Sequence, residues 1–298
     1  MSLAPVLLFT YNRPAHTSQT LEALLNNKLS KESELFIFSD GYKNNDDKKE
    51  VLKVRRLIHA IDGFKKIHIV EHPQNYGLAN NIIQGVTQLI NTFGKVIVLE
   101  DDLITSPWFL TFMNEALDKF ESNDKIGHIH GFCYPIDNLP DAFLIKWVGS
   151  WGWATWKRSW QLFNPDGNML LEEIYKRNLS RKFDFGGKYP FTKMLQRQIN
   201  GVNDSWAIRW NATLFLKDML SVNAGKSLVQ NIGFDGTGVH SGKDKIHYIS
   251  LYKNRLNIDI PIISENKSAR KAFANYYSKT NSFFAKAKRR INRYLRSR

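Results

Sequence analysis

The sequence predicts an α/β fold in which helices flank a parallel sheet. Short apolar runs recur in the first half of the chain, and each has the length of one buried strand. Segments with the apolar spacing of a helix separate these runs. The alternation gives four strand–helix units in about 120 residues. Such units form parallel sheets with right-handed crossovers.

The predicted elements follow from this pattern in chain order. The first four strands are expected at 5–11, Glu34–Ser39, Lys66–Glu71 and 96–99. Helices are expected after Pro14, at 48–61, at 78–90, and from Ser106-Pro107, which supply an N-cap and a first-turn proline. The alternation weakens beyond residue 120, where we expect strands at 126–132 and 142–148 and helices at 169–178, 190–200 and from Trp206 onward.

Composition narrows the class of protein. The chain has 298 residues and a single cysteine, Cys133, which excludes intramolecular disulfides and a zinc–cysteine cluster. No apolar run approaches the ~20 residues of a membrane span, and the first residues lack a signal-peptide layout. We therefore expect a cytoplasmic protein, either free or peripheral at the inner face of the membrane.

The net charge of +14 is concentrated at the C-terminus. Residues 266–298 contain eleven Lys or Arg and no Asp or Glu, which leaves +3 for residues 1–265. We therefore predict a folded region at 1–265 and a basic tail at 266–298. The tail has one apolar helical face at Phe284, Ala287, Ile291 and Leu295. Such a helix can bind an anionic membrane surface; a solvated terminus or one docked on a partner is the alternative. No base-reading motif accompanies the charge, so nucleic acid is not expected.

An acidic triplet, Glu100-Asp101-Asp102, directly follows the strand at 96–99. It is therefore expected at the carboxyl edge of the sheet, where open α/β sheets bind ligands. Adjacent carboxylates repel one another, and a bound cation would relieve the repulsion. Oxygen ligands favour Mg²⁺ or Mn²⁺. The alternative is a solvated acidic turn.

Two further patterns bear on ligand binding. Neither a G-x-G-x-x-G sequence nor a Walker A sequence is present, which removes the main support for dinucleotide and P-loop sites. Residues 232–242 contain four glycines and are predicted to form a loop. A loop of this kind beside a cleft can act as a lid, and a long surface connection is the alternative.

Four motifs in order resemble those of GT-A-type, nucleotide-sugar-dependent glycosyltransferases. They are Thr-Tyr-Asn-Arg-Pro at 10–14, Ser-Asp-Gly at 39–41, Asn-Tyr-Gly-Leu-Ala at 75–79 and the acidic triplet. The first 120 residues are similar to family-2-like bacterial sugar transferases. The Glu-Asp-Asp-Leu sequence and the later Gly-Trp and Asn-Asp-x-Trp stretches resemble the N-acetylglucosaminyltransferase I family. The resemblance spans about residues 3–245 and implies a GT-A (Rossmann-like) fold, with a nucleotide-binding half at 1–122 and an acceptor-binding half at 123–265.

The resemblance implies roles for individual residues. Asp102 would bind Mn²⁺ or Mg²⁺, and Asp40 would read the uracil edge of a UDP-linked donor. Asn81 stands where the family has a histidine near the base. The other implied donor-binding residues are Thr10, Asn12, Arg13, Glu100, Asp101 and His240. His240 lies in the glycine-rich loop, and a solvent-exposed histidine is its alternative interpretation.

The later motifs concern the acceptor, which is expected to be a saccharide or a lipid-linked saccharide. The resemblance makes Asp204 the general base of an inverting transfer; alternatively, Asp204 or Asn203 is only a helix N-cap. Gly149 to Trp160 matches an acceptor-lining segment, with Trp151, Gly152 and Trp153 as candidates. The spacing of Trp153, Trp156 and Trp160 equally suits core packing. We assign Trp156 and Trp160 to the core and leave Trp151 and Trp153 open. His128 and His130 are predicted to be structural.

Two other functions compete with a sugar transferase. A sugar-phosphate nucleotidyltransferase shares the α/β plan, but it normally has a glycine-rich basic loop after the first strand, where this chain has Thr10-Tyr11-Asn12-Arg13-Pro14. A catalytically silent carbohydrate-binding or scaffold relative is the alternative from another class, and donor hydrolysis would exclude it.

Overall fold

A computed structural model describes residues 2–234 and 248–281 of the chain. The strands are β1 Val6–Thr10, β2 Glu34–Ser39, β3 Lys66–Glu71, β4 Lys95–Glu100, β5 Leu103–Thr105, β6 Ile126–His130, β7 Ala142–Ile145, β8 Trp153–Trp156, β9 Leu220–Ala224 and β10 Val229–Asn231. The helices are α1 Pro14–Leu25, α2 Asn45–His59, α3 Leu78–Phe93, α4 Phe109–Lys119, α5 Lys157–Trp160, α6 Gly167–Lys176, α7 Ser180–Phe183, α8 Phe191–Ile199, α9 Trp206–Leu216 and α10 Lys267–Asn281.

Eight strands form one sheet in the order β3-β2-β1-β4-β8-β6-β9-β7. The first four are parallel, as predicted, and β6 and β9 run in the same direction because β8 is antiparallel to both β4 and β6. Only β7 and β8 are reversed within this sheet. The carboxyl ends of six strands therefore meet at one edge. A separate two-stranded ribbon pairs β5 with β10.

Helices cover both faces of the sheet and make its central strands inaccessible to water. Side chains of β1 alternate between two apolar clusters. Val6 and Leu8 face the cluster that contains α4, whereas Leu7 and Phe9 face α3. A third cluster joins β7 to α6, α8, α9 and α10. Burial on both faces explains why the first strands are continuous apolar runs.

The position of β8 was not predicted. Its four residues, Trp153–Trp156, lie between β4 and β6 in the middle of the sheet. A strand of this length gives no readable alternation, and its two tryptophans suit a helix equally well.

One predicted helix start and one predicted N-cap are wrong by a few residues. The Ser106 N–H donates to the Leu228 carbonyl (2.8 Å), which continues the β5–β10 ribbon, so α4 begins only at Phe109. Helix α9 is capped by Ser205, whose hydroxyl accepts from the Ile208 N–H (3.3 Å). The interpretation of Asp204 or Asn203 as its N-cap is therefore incorrect.

The first half of the predicted tail is part of the folded body. Phe273 and Tyr277 of α10 are buried against β7 and Phe191. The Arg270 guanidinium pairs with Glu265 (3.0 Å), and the same carboxylate accepts from the Lys146 N–H (3.0 Å). The predicted boundary at residue 266 therefore separates α10 from its own core. The amphipathic face at Phe284, Ala287, Ile291 and Leu295 lies outside the described residues. Among the helices of 2–234 and 248–281, none has the length and apolar character needed to cross a bilayer.

Candidate active site

The acidic triplet lies at the carboxyl edge of the sheet, as predicted. Strand β4 ends at Glu100, and Asp101 and Asp102 form the turn into β5. The buried Asp101 carboxylate accepts from the Tyr11 N–H (3.2 Å), and its backbone carbonyl accepts from the Thr20 hydroxyl (2.8 Å). These two bonds fix the turn against the end of β1 and against α1.

Asp102 forms an ion pair with Arg13. The distance from the Arg13 Nη1 to the Asp102 Oδ2 is 2.9 Å, and the two side chains are only 15% and 16% exposed. Arg13 is the N-cap residue of α1, directly before Pro14. The first and last of the predicted nucleotide motifs therefore meet in one contact.

The triplet has an unusually high proton affinity. Burial, followed by the charges of Asp102 and Asp101, raises the pKa of Glu100 to about 8. Burial and the charge of Asp102 raise the pKa of Asp101 to about 7. The Arg13 guanidinium opposes both shifts. The three carboxylates thus have more negative charge than one arginine neutralises, and a further cation would stabilise their ionised form.

The donor set suits a cation that a substrate helps to bind. Within the described part of the chain, no three His, Cys, Asp or Glu side chains are grouped so that they could hold a metal ion by themselves. Mg²⁺ typically uses one or two carboxylates together with substrate phosphates. Asp102 is suited to that role because it has a partly exposed carboxylate at the end of a central strand. His240, the other predicted residue near the diphosphate, lies outside the described residues.

Gly233 lies directly against Asp102. A Cβ atom at this glycine would be 2.1 Å from the Asp102 Oδ2, and the Ile232 N–H donates to the Asp102 carbonyl (2.9 Å). The start of the glycine-rich loop therefore covers the candidate metal ligand. Sequence analysis identified the loop, but not this glycine as the residue that permits the close approach.

The Asp40 carboxylate is occupied by its own surroundings. Its Oδ1 accepts from the N–H groups of Gly41 and Tyr76 (both 2.9 Å), and its Oδ2 accepts from Asn75 Nδ2 (3.0 Å) and the Gly77 N–H (3.1 Å). Four donors leave little capacity to read a nucleobase. In this conformation Asp40 positions the turn at 75–77, and Asn75 is a site residue that sequence analysis missed.

The other predicted donor residues surround the end of β1. The Thr10 hydroxyl is buried and has no hydrogen-bond partner among the described residues. Asn12 Nδ2 donates to Asp47 Oδ1 (2.8 Å), and the Tyr11 hydroxyl donates to Asp47 Oδ2 (2.7 Å). Burial and this bond to Asp47 raise the pKa of Tyr11. Asp47, on the first turn of α2, was not predicted because an acidic first turn is common in helices.

Asn81 is buried and contacts a histidine from the preceding loop. Its Oδ1 lies 3.1 Å from the His72 Nε2, and the His72 ring packs on Tyr76 with 4.3 Å between ring centroids. An imidazole is therefore present near the predicted nucleobase site. It comes from His72, in the loop after β3, and not from α3.

The acceptor-side candidates separate clearly. Trp151 is partly exposed and packs edge-on against Phe132 and Phe234. Trp153 is only 1% exposed and stacks on His128 and Trp206, so of the two interpretations left open its indole fits core packing and not a sugar platform. Gly152 has φ +67°, and a Cβ there would be 2.7 Å from Val229, so its role is conformational. As predicted, Trp156 and Trp160 are in the core.

His128 and His130 lie beneath this segment and are buried, as predicted. The His128 Nε2 lies 3.0 Å from the Gly149 carbonyl, and its Nδ1 accepts from the Trp210 indole N–H (3.3 Å). Burial lowers the pKa of His128 to about 3 and that of His130 well below its usual value. Both rings are neutral and support the segment that presents Trp151.

Asp204 is the residue directly before the N-cap of α9. Its side chain is 68% exposed, and its Oδ1 lies 3.5 Å from the Arg209 Nη2. Arg209 is buried and also donates to the carbonyls of Ser205 and Pro165 (both 3.3 Å). Trp206, two residues after Asp204, stacks on Trp153, which pairs with Val98 of β4.

Comparisons with known proteins identify one matching family. A family model described as glycosyl transferase family 2 matches residues 6–180. No curated protein matches the chain. Among solved structures, S. aureus TarS has 15% identity and a TM-score of 0.33, and the match covers 46% of this chain and 23% of that one. Residues 1–349 of TarS have 11% identity and a TM-score of 0.45, with 76% and 59% covered. A mannosyltransferase from Pyrobaculum calidifontis, solved with GDP-Man and Mn²⁺, has 10% identity and a TM-score of 0.36, with 72% and 69% covered. The chain thus spans less than two thirds of the length of either TarS structure.

Proposed function

The chain belongs to glycosyl transferase family 2, and from this premise we propose that it transfers a sugar from a nucleotide-sugar donor to a saccharide or lipid-linked saccharide. The observation that carries the proposal is the acidic triplet, since its crowded carboxylates at the carboxyl edge of a parallel sheet favour a bound cation. The similarity to the N-acetylglucosaminyltransferase I family remains a prediction, as does the type of sugar transferred.

Each donor-side residue has a proposed task. Asp102 would hold Mn²⁺ or Mg²⁺, which as a Lewis acid neutralises charge that develops on the leaving diphosphate. Glu100 and Asp101 would accept hydrogen bonds from sugar and ribose hydroxyls. Arg13 would bind the diphosphate, to which its planar guanidinium is well matched. Asp40 would hold the turn at 75–77 against the nucleotide, so the proposal of a UDP-linked donor rests on resemblance alone.

The acceptor side requires a base and a platform. We propose that the Asp204 carboxylate removes the proton of the acceptor hydroxyl as its oxygen attacks the anomeric carbon, which inverts that centre. Its exposure suits this task because an acceptor must reach it from solvent. The partly exposed Trp151 indole would stack through a face on the acceptor sugar.

Titration calorimetry with a panel of nucleoside diphosphates and nucleotide sugars tests the donor site. We expect one nucleotide to bind with Mn²⁺ and not with chelator, and we expect Asp102→Asn to weaken that binding by at least about 30-fold, equivalent to ~2 kcal/mol. Asp259→Asn, which changes an exposed aspartate outside the site, is the matched control. If no nucleotide binds the folded protein with metal present, the triplet is a surface turn and the transferase proposal fails.

Product analysis separates the competing functions. Transfer or slow hydrolysis of the bound nucleotide sugar supports the glycosyltransferase. Formation of a nucleotide sugar from a nucleoside triphosphate and a sugar phosphate would support the nucleotidyltransferase instead. Donor binding without any turnover, in the presence of a broad set of acceptors, would support the silent relative.

A further inference from the structure

The contact between Arg13 and Asp102 places a protein cation on the carboxylate that would bind the metal. The Asp102 Oδ2 accepts from the Arg13 Nη1 at 2.9 Å, and the same oxygen lies against Gly233. A divalent cation bound to this oxygen would lie within a few ångströms of the guanidinium, where two positive charges repel strongly. The contact and the metal are therefore alternatives.

We propose that Arg13 exchanges partners during donor binding, so that it is both an internal counter-cation and a diphosphate ligand. Without donor it neutralises Asp102; with donor and metal it leaves Asp102 and pairs with the diphosphate. The inference rests on the proposed function, because it needs Asp102 as the metal ligand. Its consequence is that the protein binds the metal weakly alone and tightly together with the nucleotide.

The local structure suits a side chain that moves on a fixed backbone. Arg13 precedes Pro14, which excludes helical backbone angles at Arg13, and it has φ −120° and ψ 72°. Its carbonyl accepts from both the N–H and the hydroxyl of Thr17 (each 2.9 Å). The guanidinium lies at the end of a long flexible stem, so rotation about its side-chain bonds can redirect it without a change in α1.

The charges of the triplet make the exchange favourable in both directions. Without metal, the ionised carboxylates repel one another, and the Arg13 guanidinium, 2.9 Å from the Asp102 Oδ2, offsets part of that repulsion. With metal, two positive charges replace the one that leaves, and the diphosphate offers Arg13 a bidentate partner. Because both ligands depend on the same broken ion pair, each must raise the affinity for the other by the same factor.

The test is a titration of the whole protein with Mn²⁺ at about pH 8.5. The electron paramagnetic resonance signal measures the Mn²⁺ that remains free. We expect Arg13→Gln to bind Mn²⁺ alone about tenfold more tightly than the wild type, since its competing cation is gone. The same variant should bind UDP in the presence of Mn²⁺ about tenfold less tightly, since the diphosphate loses a ligand. Opposite changes for metal and nucleotide are the signature of the exchange.

Three variants make the result decisive. Arg13→Lys retains the charge and should bind Mn²⁺ alone within about twofold of the wild type. Arg177→Gln changes an exposed, ion-paired arginine at the C-cap of α6 and should leave both affinities unchanged. Asp102→Asn should abolish the Mn²⁺ site. Thermal unfolding confirms that each variant is folded.

The outcomes distinguish failure of the inference from failure of the proposed function. If Arg13→Gln binds Mn²⁺ alone no more tightly than the wild type, while Asp102→Asn loses the site, the exchange is wrong and the donor site stands. If Asp102→Asn binds Mn²⁺ as well as the wild type does, the metal lies elsewhere. That result overturns both the exchange and the assignment of Asp102.

Discussion

Asp204 illustrates how one contact can give a residue two roles. As the proposed base it must be reached by the acceptor, and its 68% exposure permits this. As the partner of Arg209 it also faces a buried guanidinium, whose pKa burial lowers and whose charged form Asp204 favours. Because Ser205 caps α9, this ion pair replaces helix capping as the structural explanation of Asp204.

Substitution of Asp204 separates the two roles. We expect Asp204→Asn to lower kcat for transfer by at least about 100-fold, the range for loss of a general base. Its donor affinity should be unchanged. The free energy of unfolding should fall by about 1 kcal/mol or less, because the ion pair is largely exposed on the Asp204 side. Steady-state kinetics and thermal unfolding measure these effects.

Arg209→Gln is the comparison for this prediction. If Arg209 acts only through Asp204, the double variant should transfer sugar no more slowly than Asp204→Asn alone. A purely structural Asp204 predicts the reverse pattern, in which Asp204→Asn keeps most of its kcat and both single variants lose similar stability.

At the scale of elements, the sequence predicted best those segments whose pattern directly reflects burial. Strands β1 and β4 are continuous apolar runs because helices cover both of their faces, and the structure confirms the predicted bounds of β1 to β4 closely. The triplet could be placed because a run of carboxylates after such a strand has one position in a parallel sheet.

The misses at this scale have one common cause, namely contacts between segments distant in sequence. Trp153 is buried because His128 and Trp206 stack on it, and neither contact is visible in the local sequence. The Asp40 carboxylate is bound by the turn at 75–77 because the chain brings Asn75, 35 positions later, next to it. In both cases the sequence identified the residue as a candidate for the site, but it could not identify the distant residue that contacts it.

Helix α10 provides a prediction at the element scale. A chain that ends at residue 281 keeps the buried Phe273 and Tyr277, so its Tm and donor affinity should equal those of the full chain. A chain that ends at residue 266 loses both aromatic residues, and its Tm should fall by roughly 10 °C or more. Differential scanning calorimetry distinguishes the two truncations.

The chain that ends at residue 281, compared with the full chain, also tests the predicted contact with an anionic membrane. Residues 282–298 contain seven Lys or Arg, so the chain that ends at residue 281 should no longer sediment with vesicles rich in anionic lipid, whereas the full chain should. Vesicles of neutral lipid are the control. Equal sedimentation of both chains would show that these residues do not bind membranes.

For the molecule as a whole, the charge of the triplet makes folding stability depend on pH. In the folded chain the pKa of Glu100 is about 8 and that of Asp101 about 7, whereas unfolded carboxyls titrate near about pH 4. Between these values the folded chain binds more protons than the unfolded one. Its free energy of unfolding therefore falls as pH rises toward about 8.

This pH dependence is measurable as Tm in the presence of chelator. We expect the Tm of the wild type to decrease between about pH 5 and 8, and Glu100→Gln to flatten that decrease because one raised carboxyl is gone. Excess Mn²⁺ should raise the Tm most at the upper end, where the carboxylates are ionised. If the Tm of Glu100→Gln depends on pH as steeply as that of the wild type, Glu100 does not hold a proton in the folded chain at these pH values.

The insertion of β8 between β4 and β6 has a consequence for the order in which a growing chain can assemble. Strand β4 pairs with β8 through Lys95↔Trp156 to Val98↔Trp153, across an intervening stretch that includes α4, β6 and β7. A ribosome that has released only the first half of the chain therefore presents β4 with one open, apolar edge directly beside the triplet. Unpaired edges of this kind recruit other strands. Strand β4 is thus exposed to aggregation during synthesis, and the Trp-rich segment that completes the sheet also ends that exposure.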